Sequence, residues 1–153
     1  MEHIYQASDL SAKRREVMDA ARKSIAQIRD TDGTGLVLVT QRKFEFLRAL
    51  RDHVSRFVTL EGALERPAPE RRLTDLGELA WLAVFDEDDQ RTFRRELLEA
   101  LMRAVALDSV EPVDTCLDEW RRTARALSSE RSRRILTSSG EDLGAFAEAE
   151  RPA

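Results

Sequence analysis

The segment 65–72 limits the possible folds of this chain more than any other, because it interrupts helix formation. Pro67 and Pro69 lie at alternate positions among charged residues. Proline lacks a backbone N–H and clashes with the preceding helical turn, so this segment cannot be regular helix. We predict a short, stiff linker at 65–72, which joins a module at 1–64 to a helical region at 73–137.

The module before the linker has the pattern of strand, helix, hairpin and helix. Residues 3–7 alternate as in a short strand, and residues 10–26 contain no glycine or proline, which favours one helix. Asp32 and Gly33 separate two β-capable runs, and this pair is typical of a hairpin because glycine accepts a positive φ. The second run, 36–39, is apolar on both faces, which predicts a strand that is central or covered on both sides.

The helix predicted at 41–60, with Thr40 as its cap, carries more apolar surface than its own module can cover. Its apolar residues form two stripes, of which the first is Phe44, Leu47, Val54 and Val58 and the second is Phe46, Leu50 and Phe57. One stripe is enough to pack the helix on its own sheet. We interpret the second as contact with another subunit or with the rest of the chain, and predict Phe46, Leu50 and Phe57 as a dimer interface.

Beyond the linker every apolar pattern has helical spacing. Helices are predicted at 74–85, 86–107, 113–127 and 129–136, with Asp86–Asp89 capping the second of them. The remaining small and acidic residues at 138–153 are expected to form a flexible tail. Together these elements predict an α+β class, in which a small β-α-β-β-α module precedes an all-helical C-terminal region.

Charge differs between the two halves of the chain. Residues 1–60 hold 11 Lys and Arg against 8 Asp and Glu, whereas residues 61–153 hold 14 against 21, giving +3 and −7. A basic front suggests a polyanionic partner and an acidic back suggests a protein partner. The alternative is an ordinary solvated surface in which neighbouring charges pair with one another.

Groups that could perform catalysis are scarce. His3 and His53 are the only histidines, and Cys116 lies on an apolar helix face. A zinc site and a catalytic constellation are therefore not expected, and we predict no enzymatic activity, no cofactor and no metal. Neither a signal sequence nor a membrane span is indicated, and a single cysteine suits the reducing cytoplasm.

The order of elements in residues 2–58 resembles the Phd/YefM (prevent-host-death) family of type II antitoxins. The matching stretches are Ile4-Tyr5-Gln6-Ala7-Ser8-Asp9-Leu10, the helix through Arg15, Val17 and Ala21, the hairpin Arg29-Asp30-Thr31-Asp32-Gly33-Thr34, and the strand Leu36-Val37-Leu38-Val39. The resemblance implies a homodimer that binds operator DNA and represses its own operon. It also implies a C-terminal region that binds and neutralises a partner toxin.

The resemblance also implies site residues by position. The expected DNA contacts are basic residues of the first helix, the hairpin and the start of the second helix, namely Lys13, Arg14, Arg15, Arg29, Arg42 and Lys43. The expected toxin-binding surface carries aromatic residues of the helical region, Trp81, Phe85 and Trp120, for which core packing is the alternative. No membrane and no small-molecule substrate is implied.

Two positions depart from the family's pattern. Arg14 stands on the apolar face of the first predicted helix, with Leu10 and Val17, and Ser11 stands where many members carry an arginine. These departures favour an alternative function, a dimeric protein-interaction module that has the antitoxin-like fold and does not bind DNA.

Overall fold

The computed structural model describes residues 3–144, and side chains as far as residue 135. Its strands are β1 Ile4–Gln6, β2 Ala26–Arg29 and β3 Gly35–Leu38. Its α-helices are α1 Asp9–Ala12, α2 Arg14–Lys23, α3 Gln41–Leu64, α4 Glu87–Leu107 and α5 Glu111–Gly144, with 3-10 helices at Ala68–Glu70 and Leu73–Val84. Within residues 3–144, no helix combines the length and the apolar composition that crossing a membrane requires.

The predicted α+β class is wrong. The described part of the chain is mostly helical, and within it a single small sheet lies near the N-terminus. The reason is the length of the elements: the three strands have three, four and four residues, whereas α3 and α5 alone have 24 and 34. The sheet is therefore a small part of a mainly helical protein.

The chain divides into two compact units, residues 1–51 and residues 52–153. The division falls within α3, whereas the sequence suggested one at 65–72. That proline-containing segment lies inside the second unit, where Arg71 makes one contact within the segment and one with Gln90 of α4. The Arg71 guanidinium donates to the carbonyl oxygen of Arg66 at 3.0 and 3.1 Å and to Oε1 of Gln90 at 2.7 Å.

In the first unit, the three strands form a sheet in the order β1-β2-β3, with β1 parallel and β3 antiparallel to β2. The hairpin predicted at Asp32 and Gly33 is confirmed: Gly33 has φ 91°, and the Asp30 N–H donates to the Thr34 carbonyl at 2.8 Å. The prediction that 36–39 is central or covered is wrong, because β3 is an edge strand whose Val37 is 68% exposed. The core of this unit consists of Tyr5, Val17, Ala21, Ala26 and Ile28.

The single helix predicted at 10–26 is interrupted at Lys13. This residue has φ −124° and ψ 34°, so α1 ends at Ala12 and α2 begins at Arg14. As a result Leu10 and Arg14 belong to different helices, and both are exposed. Arg14 therefore does not occupy an apolar position of the core, as its spacing from Val17 had suggested.

The second unit is helical. The Leu73–Val84 segment turns sharply at Gly77 (φ 53°, ψ −126°), a conformation that favours glycine. The predicted capping of α4 is confirmed, because the Asp86 carboxylate accepts the Asp89 N–H at 2.9 Å.

The two helices predicted at 113–127 and 129–136 form one continuous α5, which also includes residues 138–144 of the predicted tail. Residues 145–153 lie outside the described part of the chain.

Candidate nucleic-acid interface

Three consecutive basic residues surround the break between α1 and α2. Lys13, Arg14 and Arg15 are all exposed, and the Arg15 side chain is 95% exposed. Lys13 Nζ lies 3.4 Å from an Asp9 carboxylate oxygen, and Arg15 Nε lies 4.0 Å from one of Asp19. Both are pairs between neighbouring turns at the surface, where ion pairs contribute about 0–1 kcal/mol. The three cations are therefore available to a stronger anionic ligand.

A series of contacts connects Arg29 to this segment. The Ala7 N–H donates to the Arg29 carbonyl oxygen at 3.0 Å, which holds the start of α1 against the end of β2. The next link is the Gln6 N–H, which donates to Asp9 Oδ2 at 2.9 Å and lowers the pKa of that carboxyl. Asp9 in turn pairs with Lys13. The main chain of Arg29 and the side chain of Lys13 are thus both held close to the start of α1.

The other two predicted DNA contacts lie in the first turn of α3. Thr40 caps this helix as predicted, since its Oγ1 accepts the Lys43 N–H at 3.2 Å. Arg42 is exposed, whereas Lys43 is half-buried with its Nζ 5.2 Å from the centre of the Phe46 ring. Of the two, Arg42 is the one whose charge faces solvent.

The predicted dimer residues are the covered side of α3. Phe46 is only 8% exposed, and Leu50 and Phe57 are half-buried. The first stripe is the exposed one, with exposures of 57, 45, 43 and 62% at Phe44, Leu47, Val54 and Val58. The second stripe is therefore covered within the chain, which was the alternative to a dimer contact, and the first stripe is exposed.

The predicted toxin-binding aromatics form part of the core of the second unit. Phe85 and Phe93 are buried, and Trp81 and Trp120 are half-buried. Their rings meet edge to face, with centroids 5.4 Å apart for Trp81 and Phe93, 5.5 Å for Phe93 and Trp120, and 5.1 Å for Phe85 and Trp120. The Trp120 indole also donates to a Glu96 carboxylate oxygen at 2.7 Å. This arrangement favours core packing as the main role of these aromatics.

His53 and Cys116 have structural surroundings. Burial raises the pKa of the Cys116 thiol to about 11, so the thiol stays protonated and unreactive at neutral pH. His53 is buried, with Nε2 3.3 Å from Asp114 Oδ1 and Nδ1 3.1 Å from an Arg56 guanidinium nitrogen. Among the side chains described, through residue 135, no group of three or more His, Cys, Asp or Glu residues could hold a metal ion.

Acid is expected to destabilise the protein through His53. Burial lowers the pKa of His53, and this effect exceeds the opposing attraction of Asp114. The unfolded chain therefore takes up a proton below about pH 6.5 that the folded protein resists, so stability is full above that pH and is lost as pH falls. Urea unfolding between pH 5 and 8 should show this loss, and His53→Gln should make the profile flatter.

A second group of basic residues was missed by the sequence analysis. Residues 121–134 of α5 contain six arginines and only one acidic residue, Glu130. The signal was present in the local composition, but the acidic balance of the whole C-terminal half concealed it. Counting charge in shorter windows would have found it.

The chain matches no protein-family model, and neither a curated protein nor a solved structure is similar to it. Support for a function comes instead from the charge, exposure and contacts of the described residues. Of these, the exposed basic residues of the first unit are the most informative.

Proposed function

We propose that this protein is the antitoxin of a type II toxin–antitoxin system. In this proposal it acts in the cytoplasm as a dimeric autorepressor, which binds operator DNA through the first unit and neutralises a partner toxin through the helical second unit. The observation that carries the proposal is the exposed run Lys13-Arg14-Arg15, in a unit whose small sheet carries the exposed Arg29.

The chemistry of this run suits a phosphate backbone. Guanidinium and ammonium groups at the start of α2 stand beside the main-chain N–H groups of its first turn, and both kinds of donor bind DNA phosphates. The first unit as a whole holds 10 Lys and Arg against 7 Asp and Glu, a net charge of +3. The surface carboxylates that pair with Lys13 and Arg15 are weak competitors for a polyanion.

The second unit supports a protein partner. Residues 52–153 hold 15 arginines against 22 Asp and Glu, a net charge of −7, which complements a basic toxin. Trp81 and Trp120 are half-buried, whereas Phe85 is buried and packs against both rings. Toxin contact is therefore assigned to the two tryptophans, with Phe85 supporting them from the core.

A second candidate function is the dimeric protein-interaction module that does not bind DNA. It is favoured by the number of large apolar side chains that the first unit exposes, because such surface usually marks contact with other proteins. These residues are Ile4, Leu10, Met18, Ile25, Leu36, Val37, Phe44 and Leu47. It is also consistent with Ser11, whose hydroxyl bonds locally to the Ser8 carbonyl at 3.1 Å.

Replacing Lys13, Arg14 and Arg15 with glutamine tests the proposal. Fluorescence anisotropy would measure binding to DNA from upstream of the protein's own reading frame, over about 50–200 mM salt. Each lost phosphate contact lowers the slope of log affinity against log salt by about 0.9, so the triple variant should lose about 2–3 units of slope.

The matched control replaces Arg22, Lys23 and Arg48, three other exposed cations of the first unit, with glutamine. This control removes the same charge and should retain most of the affinity. Absence of binding by the wild-type protein at 50 mM salt, or equal losses in the two variants, would favour the interaction module instead.

A further inference from the structure

The end of α5 extends beyond the core of the second unit. Its buried face begins at Val113 and ends at Ala124, and every described residue from 125 to 135 is exposed. On the same face, one turn after Ala124, Leu127 is already 39% exposed, and arginines follow where further apolar residues would be needed. This part of the helix has no apolar stripe with which to pack against its own unit.

The extending part of α5 is strongly basic within an acidic unit. We call its five exposed arginines the arginine strip: Arg122, Arg125, Arg131, Arg133 and Arg134. Only Glu130 opposes them between residues 122 and 135, a local net charge of +4. Arg121, just before the strip, is not counted in it, because its side chain contacts the packed part of the second unit. Its guanidinium lies 5.9 Å from the centre of the Trp81 ring and pairs with Asp118.

The arginines surround the helix. At 3.6 residues per turn, Arg122, Arg125 and Arg133 fall within about 80° of one another, while Arg131 and Arg134 lie on the opposite side. Among the described side chains, the ion pairs do not include Arg122, Arg125 or Arg131. A protein surface would contact one side of such a helix, whereas a groove with anionic walls would contact both.

We propose that the arginine strip binds in the major groove of double-stranded DNA. An α-helix with its side chains is about 10–12 Å across, which matches the roughly 12 Å width of that groove. Residues 122–135 would extend about 21 Å, and arginines on both sides would reach the phosphates of both strands. This is a second DNA-binding element, beyond the one proposed for the first unit.

The test replaces Arg122, Arg125 and Arg131 with glutamine in the full-length protein. Anisotropy on a random-sequence 20-bp DNA duplex, at several salt concentrations, would report the affinity and the salt slope. The wild-type protein should bind at about 50 mM salt, and the variant should lose about 2–3 units of slope and at least about tenfold in affinity. Circular dichroism of both proteins confirms that the helix content is unchanged.

The matched control replaces Arg91, Arg95 and Arg103, three exposed arginines of α4, with glutamine. It has the same net charge as the strip variant and should bind like the wild-type protein. Equal binding by the strip variant and the wild-type protein, or equal losses in the strip and control variants, would overturn the proposal. So would RNA duplex binding as tight as DNA binding, because the major groove of RNA is too narrow for side chains to enter.

This test separates the two DNA-binding proposals. The strip variant is also combined with the glutamine variant of Lys13, Arg14 and Arg15. If the strip replacements lower the slope in both backgrounds, the arginine strip contacts DNA whether or not the first unit does. If the first-unit replacements alone have no effect, the autorepressor proposal fails while the arginine strip remains supported.

Discussion

Replacing Phe93 with alanine is expected to lower the free energy of unfolding by about 3–5 kcal/mol. Phe93 is completely buried and lies within 5.5 Å, centroid to centroid, of both tryptophan rings. Its removal would leave a cavity and end two edge-to-face contacts, each of which contributes about 0.5–1.5 kcal/mol beyond burial. Since a domain of this size has a total stability of about 5–15 kcal/mol, much of the stability would be lost.

Urea unfolding would measure this loss by circular dichroism and by tryptophan fluorescence. Met102 lies on the same helix and is 66% exposed, so Met102→Ala is the control and should change stability by less than about 0.5 kcal/mol. The tryptophan emission of Phe93→Ala should also shift to longer wavelength as water reaches the indoles. A loss below 1 kcal/mol would mean that the aromatic group is not the core of the second unit.

Local signals in the sequence predicted local structure well. The hairpin at Asp32 and Gly33 and the helix caps at Thr40 and Asp86 each depend on one hydrogen bond that spans three or four residues. The interactions that form these features involve only a few neighbouring residues, so the local sequence is sufficient to predict them. The break at Lys13 has no comparable signal, because no glycine or proline marks it.

The faces of α3 show where the sequence is not enough. Periodicity places Phe44 and Phe46 on different stripes, but it cannot say which stripe the rest of the chain covers. That depends on contacts between elements far apart in sequence. The same limit explains β3: the apolar run that includes Val37 suits a central strand equally well, and only the order of the strands makes it an edge.

The length of α5 also differs from what the sequence predicted. The sequence predicted separate helices at 113–127 and 129–136, whereas α5 runs without interruption to Gly144. No proline or glycine lies between Val113 and Ser139, and polar residues of good helix propensity do not end a helix. The exposed, polar residues after Ala124 mark the end of the buried face of α5 and not the end of the helix.

The exposed stripe of α3 is expected to determine the oligomeric state of the protein. A dimer is expected, and a specific interface normally buries about 1,200–2,000 Å² in total. Phe44 and Leu47 lie one turn apart in the first unit and are both exposed, and Leu36 and Val37 of β3 add to the apolar surface of that unit. We therefore assign the dimer contact to this surface in place of the covered Phe46.

Replacing Phe44 and Leu47 with glutamate should convert the dimer into a monomer. A buried carboxylate without a partner costs about 3 kcal/mol, which is a factor of more than 100 in the dimer dissociation constant. Analytical ultracentrifugation at several micromolar concentrations would measure the mass. The control is Met102→Glu with Leu107→Glu, which adds two glutamates at exposed apolar residues of α4 and should leave the dimer intact.

If the Phe44 and Leu47 variant keeps the wild-type mass, the exposed stripe is not the dimer interface. If the wild-type protein is itself a monomer, the prediction of a dimer is wrong.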